Sequence, residues 1–135
     1  FYSKGIHSCC SQGREIAMES QWVSVINQTR GTTLGRRVQR ADSFWTRAKG
    51  LLGRRGLSPG EGLLIYPCRG IHSFGMRFAF DAIYLDQDYV VLHMIEQMAA
   101  NRRGPLFKRA RAVLELPSGT IAATATQVGD RLVVR

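Results

Sequence analysis

From Trp22 onward, apolar and polar positions follow each other as they do along strands. Trp22-Val-Ser-Val-Ile-Asn27 runs into Gln-Thr-Arg-Gly, which supplies turn chemistry, and then into Thr32-Thr-Leu-Gly-Arg-Arg-Val38. This stretch predicts a hairpin. Asp42-Ser43 then stands ready to cap a short amphipathic helix, with Phe44, Ala48, Leu51 and Leu52 on one side and Arg47, Lys49 and Arg54 on the other. Gly53 and Gly56 end it, and Ser58-Pro59-Gly60-Glu61-Gly62 forms the loop beyond. The apolar run Leu63-Leu-Ile-Tyr66, closed by Pro67, predicts a buried strand.

The next segment alternates strictly. Between Ile71 and Phe80, the residues His72, Phe74, Met76, Phe78 and Phe80 interleave with Ile71, Ser73, Gly75, Arg77 and Ala79. A period of two predicts an extended strand with an aromatic and sulfur-rich face, continued by Ala82-Ile-Tyr-Leu85. Asp86-Gln-Asp88 is a turn, and Tyr89 to Ile95 returns as the partner of a second hairpin. Ala112-Val-Leu-Glu-Leu116 reads as another strand, stopped by Pro117; Ser118 is placed to cap a short helix through Ala125, and Arg131 to Val134 closes the pattern. Six or more short strands with two short helices predict a mainly β fold, an antiparallel sandwich of jelly-roll type. Its expected core holds Leu52, Leu64, Ile65, Phe74, Phe80, Ile83, Val91, Leu114, Leu116, Leu132 and Val133.

Composition fits that picture and bounds it. A chain of 135 residues, 44% apolar and 21% charged, is one globular domain with no room for a second core. Residues 18–135 read as that domain, and residues 1–17 as a disordered leader or an extension foreign to the native protein, since Phe1 is no initiator and Met18 stands just ahead of the first strand. No run approaches the ~18 apolar residues that span a membrane, and the first residues lack the apolar centre of a secretory signal. The expectation is a cytoplasmic protein. Three cysteines, Cys9, Cys10 and Cys68, make no disulfide framework. Nineteen Lys and Arg face ten Asp and Glu, giving +9. Residues 1–60 carry ten basic and three acidic groups and residues 61–135 nine and seven, so most of the excess is N-terminal.

Four stretches in order then carry a resemblance. Ala48-Lys-Gly-Leu-Leu-Gly53, Phe74-Gly-Met-Arg77 with Asp81-Ala-Ile-Tyr-Leu-Asp86, Val113-Leu-Glu-Leu-Pro-Ser-Gly119 and Val128-Gly-Asp130 are similar to the landmarks of the bacterial and archaeal domain of unknown function 192 family, over residues 22–135. The resemblance implies a compact β sandwich with short helices at its side, and it implies no activity. This chain departs in carrying Phe74-Gly75-Met76-Arg77 where many members have Trp-Met-Lys, preceded by Cys68 and His72.

Candidate chemistry gathers on the alternating segment. His72, Met76, Arg77 and Asp81, with Glu115 from a later strand, form the expected small-ligand site, because a few polar groups beside aromatic walls are what such sites contain. An Arg77–Asp81 ion pair holding a strand crossing is the plain alternative. Cys68, His72 and Met76 offer thiolate, imidazole and thioether to a soft metal such as Cu(I). Spaced by four in an extended strand they stand about 13 Å apart, so the segment must fold back at Pro67 or Gly70 for them to share an ion. Otherwise Cys68 and Met76 are core filler. Cys68 with His72 as its base, oriented by Asp81 or Glu115, is a third arrangement, without any signature of known cysteine hydrolases around it.

Arg36-Arg37-x-x-Arg40 and Arg102-Arg103 with Lys108-Arg109-x-Arg111 are candidate halves of a phosphate-binding surface, although the aromatics are not interleaved with them in sequence. No phosphate-cradling glycine loop, paired C-x-x-C or G-x-S-x-G elbow is present. The sequence thus predicts a non-catalytic module that binds a small ligand or a protein partner, with no cofactor implied. Metal or nucleic-acid binding stands second, and an enzyme last.

Overall fold

The computed structural model describes residues 21–42, 51 and 53–135. The helix expected from Asp42 to Leu52, and the reading of residues 1–17, lie outside the described residues except at Asp42 and Leu51. The fold is mainly β. Seven strands run in the order β1 (Trp22–Asn27), β2 (Thr32–Ala41), β3 (Glu61–Ile65), β4 (Phe80–Leu85), β5 (Val91–Met98), β6 (Ala112–Pro117) and β7 (Leu132–Val134). One helix, α1 (Thr120–Thr124), lies between β6 and β7.

All seven strands belong to one sheet, ordered β5-β4-β6-β3-β2-β1-β7. The expected pair of stacked sheets is replaced by a single sheet that curls until its two margins meet, at the Val90–Arg131 bridge. Curling lets one sheet enclose its own core: Val25, Val38, Leu64, Ile83, Leu114 and Leu132, from six different strands, pack together inside it with Ile121 of α1. The sheet is also mixed, because β2 and β3 are parallel, from Arg37 opposite Glu61 to Ala41 opposite Ile65.

A second apolar cluster covers the opposite face. Along β4, Ile83 and Leu85 point into the curl, whereas Phe80, Ala82 and Tyr84 point out and meet Leu63, Ile65, Met98 and Val113. Strands buried on both faces read as continuous apolar runs, which is why β3, β4 and β6 were visible in sequence. Tyr66, expected inside β3, is instead beyond its end and exposed.

Two of the expected elements are corrected. The strand predicted from Ile71 begins only at Phe80. Before it, residues 66–79 form an irregular loop whose one ladder contact is the His72–Arg103 bridge. Phe74, expected in the core, is 44% exposed, and Val133 is half-buried. At α1 the cap is not Ser118: the Asp81 carboxylate reaches across from β4 and accepts the N–H of Gly119 at 3.1 Å and of Ile121 at 2.8 Å.

Candidate functional site

The loop before β4 and the loop before β6 lie against each other as a two-stranded ribbon. Backbone bonds run from Cys68 N to Arg111 O at 2.9 Å, Phe107 N to Arg69 O at 3.1 Å, Gly104 N to Ile71 O at 2.9 Å and Ser73 N to Arg102 O at 2.8 Å. Ser73, which alternates with the aromatic face, is fully buried and fastens one end. Its hydroxyl donates to the carbonyl of Ala99 and accepts the Arg102 N–H at 2.8 Å. Cys68, Ile71, Met76, Phe78 and Phe107 turn inward onto the outer cluster.

Tyr84 anchors the other loop. Its ring is fully buried, edge-on to Phe107 at 5.2 Å and to His93 at 5.6 Å, and its hydroxyl donates to Pro105 O at 2.9 Å. Burial, and after it the nearby Cys68 and Glu115, push the phenol up to about 12, so it remains a donor throughout the neutral range. A Cβ at Gly104 would stand 2.5 Å from that hydroxyl oxygen. Only glycine lets the chain pass so close.

Between the two halves of the ribbon lies a concavity of about 320 Å³ lined by Gly70, Ile71, His72, Arg103, Gly104 and Leu106. Ile71 and Leu106 give it apolar walls, and His72 and Arg103 give it polar ones. At its rim the His72 ring stacks on Phe74, centroids 5.1 Å apart and planes 25° apart, and the Arg103 guanidinium stands 5.8 Å from the same Phe74 ring. His72 Nδ1 accepts the Phe74 N–H at 3.3 Å.

The ribbon is cationic without compensation. Arg69, Arg77, Arg102, Arg103, Lys108 and Arg109 are all exposed, and residues 68–80 and 99–111 contain no Asp or Glu. Among the described residues no carboxylate lies within salt-bridge distance of any of the six. Arg111 is half-buried and donates to the carbonyls of Lys108 and Ala110. Two of the three arginines of β2 are differently engaged: Arg37 lies over the Trp22 ring at 4.1 Å, and Arg40 reaches Asp42 at 3.9 Å.

The residues expected to form one site are spread over three environments. His72 and Arg77 are exposed on the ribbon, and Met76 packs inward from it. Asp81 is fully buried and fully engaged, its second oxygen capping α1 and its first accepting the Gln97 N–H at 2.9 Å. It makes no ion pair with Arg77. Glu115 stands in β6 opposite Leu63 and Ala82, 4% exposed, and burial raises its carboxyl to about 8. The Cys68 thiol donates to Gly70 O at 3.1 Å, so it turns inward while His72, four residues on, faces out. No group of three or more His, Cys, Asp or Glu side chains among the described residues is arranged to hold a metal ion.

Sequence reasoning did not place Ser73, Phe74 or Gly104 in a site, and it set Arg103 apart from His72. The pairing of the two loops brings them together, and only Arg103 stood out beforehand, as part of Arg102-Arg103. A second concavity, about 410 Å³, lies between the start of β2, Gly60 and the turn before α1. Its hydroxyls are partly committed to the fold: Thr120 donates to Pro117 O at 2.7 Å and Thr124 to Thr120 O at 2.8 Å.

No helix among the described residues is long and apolar enough to cross a membrane. No curated protein matches the chain. Two crystal structures resemble it, each at 23% identity with a TM-score of 0.70. A protein of unknown function from Novosphingobium aromaticivorans DSM 12444 matches over 83% of each chain. A "putative transcription regulator" from Sinorhizobium meliloti 1021 matches over 86% of this chain and 97% of its own. At that identity the likeness is one of fold. The family model DUF192, described as "Uncharacterized ACR, COG1430", matches residues 25–134, and the chain belongs to that family.

Proposed function

We propose that this chain is a non-catalytic binding module that receives an anionic ligand on the ribbon, seated in the concavity beside His72 and Arg103. The observation that carries this reading is the set of six exposed cations with no carboxylate among them. Charge that the protein leaves unneutralised attracts anions from solution and speeds their arrival. The concavity supports the reading in size and chemistry. Its volume of about 320 Å³ sits at the lower end of small-ligand sites, and it combines apolar walls with two polar groups.

Catalysis gains little from this arrangement. A general base needs an orienting partner within hydrogen-bond reach, and the two carboxylates expected beside His72 are elsewhere. Asp81 is saturated by backbone N–H groups and Glu115 is buried in the sheet.

Titration of isotope-labelled protein with inorganic phosphate, followed by amide chemical shifts, tests the proposal. Saturable shifts confined to residues 70–74 and 102–106, lost in Arg103→Ala, are expected. Shifts scattered over the surface, or none, overturn it.

A further inference from the structure

We infer that the anion this surface receives is single-stranded nucleic acid, an inference that rests on the anion-binding reading above. Its basis is Phe74. That phenylalanine ring is 44% exposed to water, with the His72 ring stacked on it at 5.1 Å and the Arg103 guanidinium 5.8 Å from its centre. A solvent-exposed aromatic ring beside cations is what an unpaired base stacks upon, with the neighbouring charges following the phosphates.

In sequence Phe74 is far from Arg102 and Arg103. The His72–Arg103 bridge brings them together, because it sets the Phe74 turn against Arg102 and Arg103. The adjoining concavity, with Ile71 and Leu106 as walls, offers room for a base turned inward. A duplex keeps its base faces stacked inside, so it would engage the cations and leave Phe74 unused. An acidic polypeptide would do the same.

Fluorescence anisotropy with labelled single strands of about 12 nucleotides, a length within the known range of site sizes, decides the matter. Oligo(dT) and oligo(rU) are compared with a matched duplex and with polyglutamate over a series of salt concentrations. Single strands are expected to bind more tightly than either competitor. Phe74→Leu is expected to weaken them about 5- to 100-fold with the salt dependence unchanged, as loss of a stacked base requires. Arg103→Gln is expected to lower the slope of log affinity against log salt by about 0.7, one phosphate contact.

Phe74 is exposed, so an unchanged thermal midpoint confirms that its variant is folded. Equal binding of duplex and single strand, or no effect of Phe74→Leu, overturns the inference. If phosphate still produces its localised shifts while single strands fail to bind, the inference falls and the anion-binding reading stands; if both fail, both fall.

Discussion

Glu115 sits in the middle of a strand buried on both faces, and its carboxyl accepts no hydrogen bond among the described residues. In the unfolded chain its carboxyl ionises near 4.5, and in the fold burial raises it to about 8. Folding therefore takes up a proton between those values, and stability contributed by the neutral form is fully present below 4.5 and lost as pH rises toward 8. At pH 7 the cost is about 3 kcal/mol. Urea unfolding across this range should show stability falling with pH in the native protein, and a flat line in this window for Glu115→Gln. Asp81 makes the opposite case, a buried carboxylate with three backbone N–H groups. Asp81→Ala leaves those donors orphaned and should cost about 3 kcal/mol or more, read from the same unfolding curves. The sequence reading placed both residues in a candidate ligand site, as polar groups beside aromatic walls. It assigned them to a site because spacing does not reveal which backbone groups a carboxylate will meet.

Elements were legible where burial is simple. The runs in β3, β4 and β6 announce themselves because both faces are covered, and β1 with the start of β2 follows from a turn between alternating segments. The parallel pairing of β2 with β3 was not, since it depends on a crossover rather than on either strand's pattern. The region from Ile71 to Ala79 misled most, because period-two alternation there belongs to an irregular ribbon. Phe74 was expected in the core, yet it is exposed and Ser73 is buried, because the Ser73 hydroxyl satisfies the Ala99 carbonyl and the Arg102 N–H in the interior. Ser73→Ala should cost about 1–3 kcal/mol. Amide exchange should quicken at residues 101–104, and stay slow in β4, if the ribbon opens separately from the sheet.

At the scale of the whole molecule, counting charge by halves of the sequence placed the excess at the N-terminus, whereas the fold concentrates six exposed cations from the second half on one ribbon. Linear counts miss this because two loops 30 residues apart share one surface only after β4, β5 and β6 have paired. The join between the sheet's margins has a different consequence. Val91 N bonds Asp130 O at 2.8 Å and Leu132 N bonds Tyr89 O at 2.9 Å, tying β5 to β7 at one end. Asp130 secures that end, accepting from Asn27 and Arg30 at 3.0 Å and from Gln127 N at 2.9 Å; burial pushes its carboxyl up, and these bonds outweigh that and hold it below the usual range. Asp130→Ala should release the join, and sedimentation velocity should then find dimers and larger species in place of a monomer-sized boundary. An unjoined strand margin is a row of vacant donors and acceptors that a neighbouring chain can fill, and where β5 is fastened to β7 those groups are already taken.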